Sequence, residues 1–262
     1  MLDQGDPCSG QSDPSFMLSL ARGLEVLRAF EGQVSLSNAE TARVTGLTRA
    51  SAGRCLHTLV QLGYVREQRG RFFLTPGLLP LACGYLTSTP LASASQAIAN
   101  GLRDRLQETV SVGTLDPRDP GRVIYIARAE RNQIIAAPLL VGSTLPSHCT
   151  SMGRVLLAYL PASVRRAWID SSVLEVRTDR TVVDKGQLSG VLSEVAEQRW
   201  ALVEGELEIG LRSLAVPVRD RDGTVVAALN IATFSDAHSR DDLIETVLPD
   251  LRAAAGQLER AI

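Results

Sequence analysis

Apolar residues recur at helical spacing early in the chain, at Leu20, Leu24, Leu27 and Phe30. With Ser19 as N-cap, this spacing predicts a first helix over 19–31, closed by Gly32. Ser35-Leu36-Ser37 offers the next cap, and Ala39, Ala42 and Val44 mark a short second helix ending at Thr45. Gly46 then takes a stop position that favours a left-handed backbone. Thr48 can cap a third helix, Arg49–Leu62, apolar at Ala52, Cys55, Leu56, Leu59 and Val60 and polar at Arg49, Ser51 and Arg54. The period then shortens. Tyr64-Val65-Arg66, a turn at Gln68-Arg69-Gly70 and Arg71–Thr75 predict a β-hairpin.

Three short helices and a hairpin in about 60 residues form a winged helix-turn-helix, with the third helix placed for a major groove and the wing for backbone or minor groove. The alternative is the same fold used for protein contacts. Leu78, Leu79, Leu81, Ala82, Tyr85 and Leu86 then give an apolar stripe over 77–87, either a linker helix that packs on a twin or ordinary intrachain packing. A helix at Ala92–Thr109 follows, with strands near Val110–Leu115, Val123–Arg128 and Ile134–Val141. Helices recur at Ser151–Leu160, Ser163–Asp170 and Lys185–Gln198. The last strands are Leu211–Arg219 and Thr224–Phe234, before a helix at Asp241–Ala261. This alternation predicts an α+β chain: a tail over 1–14 expected to be disordered, the winged unit over 15–75, the linker over 76–91 and an α+β sandwich over 92–262.

Charge separates the two units. The formal net charge is −2, but residues 15–75 carry eight arginines against four acids. A polyanion would bind there. Only one of the 27 basic residues is lysine, Lys185, and arginine supplies a planar donor fork that lysine lacks. Arg49 and Arg54 are the candidates for bidentate contact with guanine or for phosphate, Thr48 and Ser51 for phosphates at the helix start, and Arg69 and Arg71 for phosphate or minor groove. His57 is expected to face solvent or a partner. No apolar run approaches the roughly 18–20 residues that span a bilayer. The four scattered cysteines lack metal-ligand spacing, so no metal and no cofactor are expected, and a reducing cytoplasm fits.

The last hairpin turns at Asp220-Arg221-Asp222-Gly223. Pairing Arg219 with Thr224 places Ser213 opposite Asn230. One face then reads Leu214, Val216, Val218, Val225, Ala227, Leu229 and Ile231, a core. The other reads Ser213, Ala215, Val226, Ala228, Asn230 and Ala232, small residues that leave room either for a ligand or for a closely packed helix. A second polar cluster, His148-Cys149-Thr150-Ser151-Met152 with Arg154, opens a helix and suits a carboxylate. The same Thr150 and Ser151 equally fit a plain cap. Arg128, closing a strand, is a further candidate. Cys149 beside His148 raises a cysteine-hydrolase alternative, but neighbours in sequence seldom point together, and no phosphate-binding glycine loop or hydrolase motif occurs. A non-enzyme is expected.

Ser19–Leu27 with Thr45–Arg49 and Leu62–Val65 resembles the winged helix of IclR-type bacterial transcriptional regulators. Ser151–Ala158 and Gly210–Val218 resemble the signatures of that family's effector domain. Leu47–Ser51, Leu145-Pro146 with Cys149–Arg154, and Ala228–Ile231 are similar to its PcaR/PcaU-like branch, which controls protocatechuate and β-ketoadipate pathway genes; Gly53 and His148 depart from that pattern. The resemblance implies a GAF-like effector domain, a homodimer or dimer of dimers on double-stranded operator DNA, and a small aromatic or dicarboxylic acid as inducer. A small-molecule sensor acting through protein contacts is the alternative.

Overall fold

The structure, a computed structural model, describes residues 14–131 and 139–262. These fall into two compact units that divide between Gly84 and Tyr85. The strand expected at Ile134–Val141 lies largely outside the described residues, and its described end, Leu139–Val141, is not a strand. The expected tail, Pro14 apart, also lies outside them.

The N-terminal unit contains α1 (Leu18–Arg28), α2 (Asn38–Thr45), α3 (Arg49–Gln61) and a sheet of β1 (Leu36–Ser37), β2 (Val65–Gln68) and β3 (Arg71–Leu74). Ser37 caps α2 reciprocally with Glu40, and Gly46 ends it at φ 68°. Thr48 caps α3 by accepting from the Ser51 amide at 3.2 Å. The hairpin turns through Arg69 and Gly70 at φ 53° and 75°, the double left-handed geometry that matches strand twist. Two expectations change. The N-cap of α1 is Met17, not Ser19. The phase of α1 is also rotated: Val26, Ala29 and Phe30 enter the core, whereas Leu20 and Leu24 are 58% and 44% exposed. β1 was not expected, because two residues carry no period; it pairs Leu36 with Phe72.

In the chain that follows, α4 (Leu79–Ser88) has no buried residue, and Leu79, Leu81 and Tyr85 are exposed. The C-terminal unit is a six-stranded antiparallel sheet in the order β6-β5-β4-β9-β8-β7. Its strands are β4 (Thr109–Asp116), β5 (Asp119–Ala129), β6 (Thr144–Pro146), β7 (Ala201–Glu204), β8 (Leu211–Arg219) and β9 (Val225–Phe234). On one face α5 (Pro90–Leu106) and α10 (Leu248–Glu259) pack over Leu214, Val216, Val218, Leu229 and Ile231. On the other, α6 (Ser151–Ala158) and α8 (Lys185–Gln198) enclose a second core, with α7 (Ala162–Ser171) beside them. The C-terminal helix is not continuous. After a turn of helix, α9 (Arg240–Asp242), it widens to π geometry at Leu243–Val247. Pro249, which has no N–H and crowds the carbonyl four residues earlier, accounts for the change of winding.

The β8–β9 register differs from expectation. Ser213 pairs with Ala232 and Ala215 with Asn230, a slip of two residues: one arises at the turn, where Arg219 pairs with Val225 and not Thr224, and one at an irregularity between Val218 and Arg219. A shift of two preserves the side-chain alternation, so the expected faces survive it; only Val225, beyond the irregularity, joins the opposite core.

α6 approaches the preceding loop so closely that a Cβ on Gly153 would lie 2.2 Å from the Ser147 carbonyl oxygen. Gly153→Ala is therefore expected to cost about 3 kcal/mol or more through backbone displacement. Chemical denaturation of the purified variant measures this, and an unchanged midpoint would contradict the packing.

Candidate functional site

Two surfaces carry chemistry, one in each unit. In the N-terminal unit, Ala52, Leu56 and Leu59 bury one side of α3, leaving Ala50, Arg54, His57 and Gln61 exposed at helical spacing. Arg49 and Thr48 are exposed at its start and Ser51 half-buried. Among the described residues neither Arg49 nor Arg54 has an ion pair, so both guanidinium groups are available. His57 is exposed, as expected of a solvent- or partner-facing residue, and shares the Arg54 face.

The wing arginines divide. Arg69 is exposed at the tip. Arg71 is engaged within the unit: its Nε donates to Ser35 Oγ at 2.8 Å, its Nη2 to the Ser35 carbonyl at 3.0 Å, and it lies 3.3 Å from Glu40 Oε2. Hydrogen bonds from Ser37, with Arg71 adding its charge, hold the Glu40 carboxyl below the usual range. Arg71 thus ties the wing to the start of α2. Arg66 stacks over Phe73 at 4.3 Å.

The C-terminal unit contains a cavity of about 520 Å³. Of the expected ligand residues, Arg128, Thr150, Ser151, Met152, Ser213 and Asn230 line it. The small-residue face is shared between its two readings: α6 packs on Ala215 and Ala228, while Ser213, Asn230 and Ala232 remain open to the cavity. Strand pairing sets Arg128 opposite Ser111 and Ser111 opposite Asn230, so a polar row crosses β5, β4 and β9. Arg128 Nη1 donates to Ser111 Oγ at 3.2 Å, and its Nε meets Glu130 at 2.9 Å. Thr150 caps α6 through the Gly153 amide, and Thr150, Ser151 and Met152 at the helix start line the cavity.

Two lining atoms are buried without a hydrogen-bond partner: Ser151 Oγ and Asn230 Oδ1. Leaving such groups unpaired costs about 1–3 kcal/mol each. An occupant that satisfies them recovers that cost.

His148, Cys149 and Arg154 do not line the cavity. Arg154 turns away into a buried ion pair, its Nη2 2.6 Å from Glu206 Oε2, while its Nε donates to the His148 carbonyl at 2.8 Å. His148 Nε2 donates to the Glu175 carbonyl at 3.0 Å. Burial, assisted by Arg154, lowers its affinity for a proton. Cys149 is fully buried, and burial together with Glu206 pushes its thiol up to about 11. A thiol held protonated in this way is a poor nucleophile.

Sequence reasoning missed Glu108, Tyr125, Arg131 and Arg177, which also line the cavity. Burial pushes the Tyr125 hydroxyl up to about 12, so it remains a neutral donor. Arg131 meets Glu108 at 3.4 Å and Arg177 meets Glu175 at 3.1 Å. These side chains converge only through the fold, and no local motif marks them. A smaller cleft of about 320 Å³ between α7 and α8 includes Arg165, Arg166 and Lys185. There Arg165 donates to the Ala158 carbonyl and Lys185 to the Asp170 carbonyl. Among the described residues no cluster fit for a metal ion occurs, and no helix is long and apolar enough to cross a membrane.

Residues 19–69 match the model of the IclR helix-turn-helix domain, and residues 83–260 that of the bacterial transcriptional regulator IclR C-terminal domain. The chain is 42% identical over 248 residues to the Pca regulon regulatory protein of Pseudomonas putida, covering 94% of this chain and 84% of that protein. It also resembles the crystal structure of an IclR family transcriptional regulator from Brucella abortus, at 28% identity and TM-score 0.80 over 95% of this chain and 94% of that one. A third likeness is to the inducer-binding domain of the PobR transcription factor from Acinetobacter, a double mutant in complex with 3-hydroxybenzoic acid. There the identity is 31% and the TM-score 0.59, over 64% of this chain and 96% of that one.

Proposed function

Since the chain belongs to the IclR family of bacterial transcriptional regulators, we propose that it binds a palindromic operator as a homodimer or dimer of dimers and answers to a small aromatic acid seated in the C-terminal cavity. The pair of unsatisfied buried atoms, Ser151 Oγ and Asn230 Oδ1, carries this reading. The residues that carry them line a cavity large enough for a substituted benzoate. The 3-hydroxybenzoic acid complex of the PobR domain supports an aromatic acid over an aliphatic dicarboxylate, and the Pseudomonas relative supports a role in aromatic catabolism.

Arg49 and Arg54 are the groups for base edges, with Thr48, Ser51 and Arg69 on phosphate or minor groove. Arg71 acts chiefly by fixing the wing. The exposed Leu20, Leu24, Leu79 and Leu81 are apolar surface that a second copy would cover. In this reading the protein is a binding device, not an enzyme: the Cys149 thiol is buried and stays protonated, and His148 bonds to the Glu175 carbonyl. A cytoplasmic location follows from its DNA partner.

Isothermal titration with 3-hydroxybenzoate tests the cavity. Ser151→Ala weakens binding by about fivefold, the worth of one hydrogen bond, and Asn230→Ala weakens it by removing the side-chain amide from the cavity wall. Ser151→Ala leaves the melting temperature of the free protein unchanged or higher, because it deletes an unpaired buried group. Wild-type affinity in both variants would contradict this placement of the ligand.

A further inference from the structure

Glu108 is 5% exposed and lies on the cavity wall. Three donors reach it, and all three converge on one oxygen: Thr233 Oγ1 at 3.0 Å, His238 Nε2 at 3.1 Å and Arg131 Nη1 at 3.4 Å bond to Oε1. The second oxygen, Oε2, accepts no hydrogen bond among the described residues. That oxygen is not among the buried side-chain atoms without a partner. A carboxylate is an acceptor only, and a largely buried one with a bare oxygen is costly until a donor reaches it.

From this geometry we infer that Glu108 determines ligand specificity by accepting a hydrogen bond from a ring hydroxyl of the bound aromatic acid. The inference rests on the cavity being the effector site and adds which substituent that site reads. Ser151, Arg128 and the first turn of α6 offer donors, and they suit the ligand's carboxylate. Glu108 offers the opposite chemistry, an acceptor held beside Thr233 and Arg131, which line the same cavity. A ligand bearing a second carboxylate would set like charges together there. An unhydroxylated acid would leave Oε2 bare, and a site built to bond a hydroxyl rejects the analogue lacking it.

The test compares isothermal titrations of the full chain with benzoate, 3- and 4-hydroxybenzoate, 3,4-dihydroxybenzoate and the matching 3- and 4-fluorobenzoates. Fluorine occupies the hydroxyl position without donating. At least one hydroxylated acid is expected to bind the wild type about tenfold or more tighter than its fluorinated counterpart, the range for a hydrogen bond to a charged group. Glu108→Gln is expected to lower that ratio about fivefold or more, because a neutral amide replaces the charged acceptor. The wild-type series stands alone if the variant does not fold. Equal binding of hydroxy and fluoro acids by the wild type, or an unchanged ratio in a folded Glu108→Gln, overturns the assignment while the cavity remains the effector site. Binding of none of these acids by the wild type overturns both.

Discussion

Arg154→Ala lowers the stability of the C-terminal unit by about 3–5 kcal/mol, the usual cost of breaking a buried ion pair. Arg154 and Glu206 are 5% and 9% exposed at their side chains, and Oε2 of Glu206 also accepts from the Val182 amide at 3.0 Å. Removing the guanidinium strands the carboxylate and frees the His148 carbonyl at once. A fall in melting temperature on the order of 10 °C follows for a unit of this size. The double variant Arg154→Met/Glu206→Leu regains much of the loss, since an apolar pair of similar volume carries no charge to desolvate. Scanning calorimetry reads both. An undisturbed melting temperature in Arg154→Ala would show the pair to be solvated. The distinction matters for function, because Leu207, Glu208 and Ile209, next to Glu206, line the cavity. The pair anchors the residue that precedes that wall, and in the proposed reading Arg154 would act on the ligand through it.

The second large effect is on DNA. Arg49→Ala and Arg54→Ala each weaken operator binding by about 1–3 kcal/mol if the lost contact is to a base edge, with relaxed specificity at that position. A phosphate contact gives a different signature. Binding then weakens evenly across sequences, and the slope of log affinity against log salt falls by about one. Arg71→Ala separates the wing's two roles: it removes the ties to Ser35 and Glu40, so it lowers stability as well as affinity. Fluorescence anisotropy on operator and random duplexes distinguishes these cases. Unchanged operator affinity in both Arg49→Ala and Arg54→Ala would remove α3 from the interface.

Much of this architecture is legible in the sequence because its signals are local. The cap at Thr48, the stop at Gly46 and the turn at Asp220–Gly223 each act within a few residues. The faces of β8 and β9 follow from alternation, which a two-residue register slip leaves intact. What depends on packing was not legible. The phase of α1 is set by where α3 lies, so Leu20 and Leu24 read as core and emerge exposed. Arg71 reads as a free wing cation because nothing nearby in sequence announces Ser35 or Glu40.

The candidate site divides in the same way. Ser151, Ser213 and Asn230 stand out locally, as polar groups at a helix start or on a face of small residues. His148, Cys149 and Arg154 belong to the same local cluster, yet the loop carrying Glu206 draws Arg154 away from the cavity. Glu108 is invisible for the opposite reason. Its partners Thr233 and His238 lie 125 and 130 residues away, and only the pairing of β4 with β9 brings that stretch of chain together.

The central claim is that one chain couples an aromatic acid in the C-terminal cavity to DNA held by the N-terminal unit. Such coupling exists only if the acid binds the DNA-bound and free proteins with different affinity. Operator affinity measured by fluorescence anisotropy on the DNA upstream of the protein's own gene, with and without saturating 3-hydroxybenzoate, tests it directly. A salt-sensitive affinity that the acid shifts by about 5–150-fold, in either direction, is the predicted result. The contradicting result is an acid that binds, by titration, while operator affinity stays the same.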